Sequence, residues 1–278
     1  MVKSKRRYYR VSADTAERNL KDRTGLTSST HAIGVDVGGS SIKCALVDLA
    51  TGRLVGERHS IPTPAQGSTE TLLAAIAAAV AETPRQHAVG LAFPSVITHG
   101  IVRTAAHLNK TWIGLPLAKL ATEHLRRSVT AINDADAAGL AEVRYGAARD
   151  EPGTVLLLTL GTGIGSALFV NRQLVPNTEL GHLEVAGREA ELRAAPRIKI
   201  EQNLSWDAWT DELNRVLRVY QALFWPDLIV LCGGITEEPE AFIGKLDCAA
   251  PLRVGTLRAQ AGIVGAALAT MLVAPTSG

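Results

Sequence analysis

From about the thirtieth residue onward, apolar and polar positions fall into blocks whose period changes along the chain. Residues 32–37 (A-I-G-V-D-V) and 42–49 (I-K-C-A-L-V-D-L) read as two strands joined through a glycine loop. L-V-G-E-R-H-S-I (54–61) reads as a third after the turn at Thr51-Gly52. Ser68 is placed to cap a helix from Thr69 to Glu82, with Glu70 in its first turn and Pro84 as its stop, and Ala88 to Phe93 is a fourth strand. Three strands in succession, then a helix and another strand, describe a mixed sheet and not a simple alternation of β and α units. The second half repeats the theme. V-L-L-L-T-L (155–160) enters G-T-G-I-G-S and leaves through A-L-F-V, two strands around glycines about 125 residues beyond the first pair. The echo predicts an α/β protein of two related lobes with mixed sheets, facing each other across a cleft. Ser205 caps a helix whose apolar positions Trp206, Trp209, Leu213, Val216, Leu217, Tyr220 and Leu223 recur at helical spacing, and Pro226 ends it. The two tryptophans read as core in preference to a stacking platform for a sugar or base. L-I-V-L-C-G-G-I (228–235) is a buried strand closing on a glycine pair, and a last helix over Ala259–Leu272 is expected to return to the first lobe.

Composition refines this picture without changing it. A chain of 278 residues has room for one large or two modest domains with an ample core. The formal net charge of +2 hides an asymmetry: residues 1–30 carry eight Lys and Arg against three Asp and Glu, so the remainder is slightly acidic. That body has no broad basic face for nucleic acid. The expected division is a basic, flexible segment over 1–30, a small lobe over 31–133 completed by the C-terminal helix at 259–273, and a large lobe over 134–258. The longest apolar runs, ten residues from Leu72 to Ala81 and fourteen from Ala261 to Ala274, fall short of the ~20 needed to span a bilayer. The charged N-terminus is followed by no apolar stretch of a secretory signal. Cys44, Cys232 and Cys248 are far apart and lack zinc-ligand spacing; they read as small hydrophobes in a reducing compartment, and a cytoplasmic location is expected.

The chemistry concentrates in the loops. In V-D-V-G-G-S-S-I-K (35–43), Gly38 and Gly39 let backbone N–H groups approach an anion, Ser40 and Ser41 offer hydroxyls, and Lys43 offers charge. Asp36 would repel phosphate unless a hydrated magnesium ion lay between them. A plain hairpin turn is the rival reading; the second loop, with Thr162 and Gly163, favours phosphate. That second loop is not a dinucleotide fingerprint, because its third glycine comes one position early and a strand follows it. Gly233 and Gly234 offer a third backbone approach, to a nucleotide's α-phosphate or adenosine. In V-T-A-I-N-D-A-D (129–136), Asn133 and Asp134 stand where a strand gives way to a helix. There a carboxylate either accepts a hydroxyl proton or merely caps the helix, a task open to Asp134 or Asp136. Glu179 and His182, in T-E-L-G-H-L-E-V, are placed to bond substrate hydroxyls; no nearby cysteine or second histidine supports a metal at His182.

Taken in order, D-V-G-G-S-S-I-K, N-D-A-D-A-A-G, L-G-T-G-I-G-S and E-L-G-H resemble the ROK sugar kinases of the actin/hexokinase-like (ribonuclease H-like) superfamily, over roughly Ala32 to Leu272. I-P-T-P (61–64), A-A-H-L-N-K-T-W (105–112), W-D-A-W and P-D-L-I-V-L-C-G-G resemble that family's polyphosphate glucokinase branch. The resemblance implies a two-lobed fold and phosphoryl transfer from inorganic polyphosphate or ATP to the 6-hydroxyl of glucose, and of mannose, with Mg2+ held through water by Asp36. It implies Asp134 as the catalytic base and Asn109, Asn133, Asp134, Glu179 and His182 as sugar ligands. Gly38 to Ser41 and Thr162-Gly163 match its phosphate loops. Many members carry C-x-C-G-x-x-G-C-x-E after the histidine, holding structural zinc. This chain has A-G-R-E-A-E there, so no zinc is expected, and Glu191 matches the last acid of that motif as a sugar ligand. Lys43, Arg103, Lys110, Arg193, Arg197 and Lys199 are candidates to line a polyphosphate groove. The family leaves three alternatives: an ATP-only hexokinase, a non-catalytic sugar-binding protein, and a sugar-responsive DNA-binding regulator. The last needs a helix-turn-helix module, for which some 30 residues ahead of the first strand are too few. Relatives of this kind are often dimers, so a homodimer is expected.

Overall fold

The computed structural model describes residues 30–64, 68–105 and 108–272; the basic segment expected over 1–30 lies, but for Thr30, outside the described residues. The first sheet is built from β1 (His31–Val37), β2 (Ser41–Asp48), β3 (Leu54–Pro62), β4 (Val89–Phe93) and β5 (Val129–Asn133), in the order β3-β2-β1-β4-β5. The first three strands run antiparallel, while β4 and β5 join parallel to β1. The second sheet, from β6 (Thr154–Leu160), β7 (Ile164–Val170), β8 (Gln173–Val175), β9 (Leu228–Cys232) and β10 (Leu252–Val254), has the order β8-β7-β6-β9-β10 and the same senses. The echo in the glycine loops is thus an echo of whole sheets: in each, the loop joins the central strand to its antiparallel neighbour.

Helices cover both faces of each sheet. α1 (Thr69–Val80) and α2 (Leu117–Leu125) pack on the outer face of the first, where Ile33, Val35, Leu91 and Phe93 meet Leu73, Ile76 and Leu117. Alternation turns Ala32, Ala45 and Val47 to the other face. There α3 (Asp134–Tyr145) and α7 (Ala261–Ala269) lie in a core shared with Leu157 and Phe169 of the second sheet. α4 (Ala190–Ala194), α5 (Pro196–Glu201) and the long α6 (Trp206–Phe224) cover the outer face of that sheet. α7 approaches the first sheet backbone to backbone. A Cβ on Gly34 would lie 1.8 Å from the Ile263 carbonyl oxygen, and one on Gly90 1.7 Å from that of Ala266. Glycine in the middle of both strands, costly on propensity alone, is what lets the helix seat there.

Several ends shift from the sequence reading. Ser68 caps α1 by accepting from the Thr71 N–H, but the helix stops at Val80, short of Glu82. The last helix begins at Ala261 after a 3-10 turn over Arg258–Gln260 and does not start at Ala259. Trp209 is fully buried and donates its indole N–H to the Ala194 carbonyl at 3.0 Å, and Trp206 stacks on Phe242; neither lines the cleft. Cys44 and Cys232 are buried and Cys248 partly so, all as free thiols. No helix among the described residues is long and apolar enough to cross a membrane.

Candidate active site

A cleft of about 690 Å³ opens where the glycine loops of the two sheets, Gly38-Gly39 and Gly161 to Gly163, come together. The first loop is closed by the Gly38 N–H donating to the Ser41 carbonyl at 3.0 Å and is braced by Thr63, whose hydroxyl donates to the Gly38 carbonyl at 2.6 Å. Ser40 and Ser41 line neither this cleft nor the smaller cavity behind it. Their contribution to the loop is the backbone.

Asp134 follows β5 directly and lines both cavities. The helix it begins is capped by Asn133, not by Asp134 or Asp136: the Asn133 side-chain oxygen accepts from the Asp136 N–H at 3.0 Å, and its Nδ2 donates to the Ser95 carbonyl at 3.2 Å. Asn133 therefore fills the capping role that competed for Asp134, and it also lines the cleft. The Asp134 carboxylate accepts from the Ala135 N–H at 2.9 Å. Burial, then the negative charges of Asp36 and Glu179, raise its pKa to about 7. Asp136 is buried beside it, accepting from the Asn177 N–H at 2.8 Å through one oxygen and leaving the other without a partner, and burial raises its pKa to about 7 as well.

On one side of Asp134 the cleft wall carries Asn109, Glu179, His182 and Glu191, and the buried Trp112 also lines it. Asn109 caps a short 3-10 turn by accepting from the Thr111 N–H at 3.0 Å. Glu179 and His182 flank a second such turn, Leu180–His182, held by Ser166 accepting from the Leu180 N–H at 3.0 Å and Tyr220 donating to its carbonyl at 2.6 Å. The His182 imidazole stands among three carboxylates: Nδ1 is 3.0 Å from Glu189 and 4.0 Å from Glu191, and Nε2 is 3.8 Å from Glu179. Its pKa is raised, chiefly by the Glu189 hydrogen bond; that of Glu179 is raised by burial against the pull of His182.

On the other side a cavity of about 300 Å³ is lined by Asp36, Lys43, Gly233, Gly234, Thr236 and Arg258, among others. Asp36 and Lys43 face each other across the β1–β2 ladder. Burial raises the pKa of Asp36 while Lys43 lowers it. Gly262, in the first turn of α7, leaves room for this carboxylate, since a Cβ there would lie 2.8 Å from the Asp36 Cγ. The Lys and Arg residues lining the two cavities are Lys43 and Arg258. The other expected groove cations have different tasks or positions. Arg193 binds Glu212 and the carbonyls of Val185 and Ala186, and Lys199 lies over the Trp206 ring at 4.4 Å. Arg197 sits 3.7 Å from Glu201, Arg103 donates to the Thr98 hydroxyl, and Lys110 lines neither cavity.

Glu189, Arg258 and Thr63 are among the residues at or behind the site that the sequence does not single out. Thr63 lay in a quoted motif and was legible there; the other two carry no local signal. The thiolates of the structural zinc motif are absent from this chain. The segment after His182 offers carboxylates in their place: a nitrogen of His182 and oxygens of Glu189 and Glu191 lie within 4.8 Å of one another, with Nδ1 hydrogen-bonded to Glu189. A hydrated divalent cation does fit the smaller cavity, which the carboxylates of Asp36 and Asp134 line together with the Gly233-Gly234 backbone.

Comparison with known proteins finds relatives over most of the chain. A model of the ROK family matches residues 32–194. The polyphosphate glucokinase of Mycobacterium tuberculosis is 44% identical over 248 residues, covering 89% of this chain and 94% of that one. That of Mycobacterium leprae is 43% identical over 262 residues, covering 94% and 81%. The crystal structure of the inorganic polyphosphate/ATP-glucomannokinase from Arthrobacter sp. strain KM superposes with a TM-score of 0.85 at 43% identity, over 88% of this chain and 99% of that one.

Proposed function

The chain belongs to the ROK family, and on that premise we propose how its cleft works as a sugar kinase that moves a phosphoryl group from inorganic polyphosphate or ATP to the 6-hydroxyl of glucose. The observation that carries the reading is that one carboxylate, Asp134, lines both the cavity fitted for a polyol and the cavity fitted for a phosphate chain. Glucose binds against Asn109, Glu179, His182 and Glu191, with its 6-hydroxyl toward Asp134. The Asp134 carboxylate takes the hydroxyl proton as the oxygen attacks the donor's terminal phosphorus. The bond to the bridging oxygen breaks, and the donor leaves one phosphate shorter. A base with a pKa about 7 is suited to this at neutral pH. Such transfer depends mostly on positioning and charge neutralisation, and holding donor and hydroxyl in line supplies ~7–11 kcal/mol of the barrier.

Gly39 and Thr162-Gly163 present backbone N–H groups to the transferred phosphoryl, and the donor's trailing phosphates run past Gly233-Gly234 between Lys43 and Arg258. This kind of reaction uses a divalent metal, which supplies charge neutralisation when bound; we assign magnesium, which Asp36 would hold through water. Mannose, which differs from glucose at one hydroxyl, is taken as a second acceptor, as the name of the Arthrobacter enzyme suggests; the working unit is taken as a homodimer. The test is to incubate the protein with glucose, magnesium and either polyphosphate or ATP and to measure glucose 6-phosphate. Asp134→Asn keeps the shape and removes the proton acceptor, so turnover is expected to fall by ~10²–10⁴. Near-normal turnover in that variant overturns the assignment.

A further inference from the structure

The residue that shapes the sugar side of the cleft without touching it is Glu189. It lines neither cavity, yet its carboxylate is the hydrogen-bond partner of His182 Nδ1 at 3.0 Å. Its placement is set by a tight hairpin. Glu184 pairs with Glu189 and Val185 with Arg188, around Ala186 at φ +50° and Gly187 at φ +79°. Two successive positive φ values are those of a type I′ turn, whose twist locks the register of a two-residue hairpin. The Ala190 N–H donating to the Leu183 carbonyl at 2.9 Å closes the segment. Arg193 then ties it to α6, donating to the Val185 and Ala186 carbonyls at 3.2 Å while pairing with Glu212 at 2.5 Å. Glu189 is therefore held on a braced support.

We propose that Glu189 is a positioning residue for the acceptor: by taking the Nδ1 proton of His182 it sets the ring's orientation and turns Nε2 toward the sugar. A histidine's second nitrogen acquires its role from the bond made by the first. Where many family members have cysteines, this segment has Ala186, Gly187, Arg188, Glu189, Ala190 and Glu191, and the three free cysteines lie elsewhere. The charged groups facing the imidazole are Glu179 and Glu191 on the cleft side and Glu189 behind, with Tyr220 beyond, its hydroxyl bonded to the Leu180 carbonyl. The raised pKa of His182 owes most to the Glu189 bond, as such a support requires.

The inference rests on the sugar site proposed above, so its test reads the imidazole and the sugar separately. In the full-length enzyme, nitrogen-detected NMR of the His182 ring reports tautomer and pKa without substrate, and calorimetry reports glucose binding without donor. Glu189→Ala is expected to lower the His182 pKa, mix its tautomers, and weaken glucose binding about tenfold, with the KM for the phosphate donor unchanged. Glu189→Gln, which is isosteric and keeps an acceptor for the Nδ1 proton, is expected to restore the tautomer and most of the affinity, and it covers the case in which the alanine variant does not fold. Chelator treatment followed by dialysis is expected to leave glucose binding unchanged. A His182 ring indifferent to both substitutions, or a chelator effect on glucose binding, overturns the proposal. If the wild-type protein binds no glucose, the sugar reading fails, while the ring measurement still decides whether Glu189 holds His182.

Discussion

Asp134 shows how much a single side chain inherits from its neighbours. Asn133 takes over the helix cap, so the carboxylate one residue later is left facing the cleft, and burial with Asp36 and Glu179 raises its pKa to about 7. The sign of the consequence is fixed by the role. A base acts only when ionised, so kcat/KM for glucose is expected to fall as pH drops through about 7, well above the range of an ordinary carboxylate. Asp36→Asn removes one of the charges that raise this pKa, so in its residual activity the acid limb is expected to move to lower pH. A wild-type limb near pH 4, or one that Asp36→Asn leaves in place, removes Asp134 from the role of base. At this scale the sequence was legible where a residue sits in a local motif. Asp134, Glu179 and His182 each stand in one, and all three line the cleft. Ser40 and Ser41 also stand in one and do not, because a motif gives spacing and not the direction in which a strand turns a side chain. Glu189 was illegible for a different reason: its two-residue strand is too short to show alternation, and its partner is seven residues away across a turn.

Elements set the distances between these side chains, and α7 does so most directly. It fills the space between the sheets, and its glycines face different neighbours one turn apart. A Cβ on Gly265 would lie 1.6 Å from the Ala137 carbonyl oxygen of α3, which is backbone and has nowhere to go. A Cβ on Gly262 would meet the tip of Asp36. Gly265→Ala is therefore expected to cost stability, about 3 kcal/mol as an overpacking defect, or roughly 6–12 °C in Tm for a domain of this size. Gly262→Ala is expected to leave Tm nearly unchanged while lowering kcat, because it pushes the carboxylate assigned to the donor's metal. Thermal unfolding and turnover measured on both variants separate the two effects, and equal losses of Tm would refute the distinction. The helix itself was readable from its apolar run and the strands from theirs. The closeness of the approach was not, since Gly34 in A-I-G-V-D-V carries no sign that a helix backbone comes to rest on it.

Across the whole molecule the duplicated sheets place two glycine loops on opposite sides of one cleft, and a polyanionic donor must reach it past few positive charges. Six basic residues looked suitable in the sequence, where any Lys or Arg near a loop is a candidate. Folding ties Arg193 to Glu212 and sets Lys199 over Trp206. It brings in Arg258 from the far end of the chain, beside Lys43. If the trailing phosphates of the donor run between these two, their attraction is screened over a Debye length of ~8 Å at physiological salt. The KM for long polyphosphate is then expected to rise steeply with salt in the wild-type enzyme, and less steeply in Lys43→Ala and Arg258→Ala, while the KM for glucose stays flat in all three. The effect is expected to be larger for long polyphosphate than for ATP, whose phosphates end sooner and whose remaining contacts are uncharged. Equal salt slopes for wild type and both variants would place the polyphosphate chain elsewhere. A salt-insensitive KM would mean that the chain is held by backbone N–H groups alone, leaving the loops of the two lobes to do the whole of the binding.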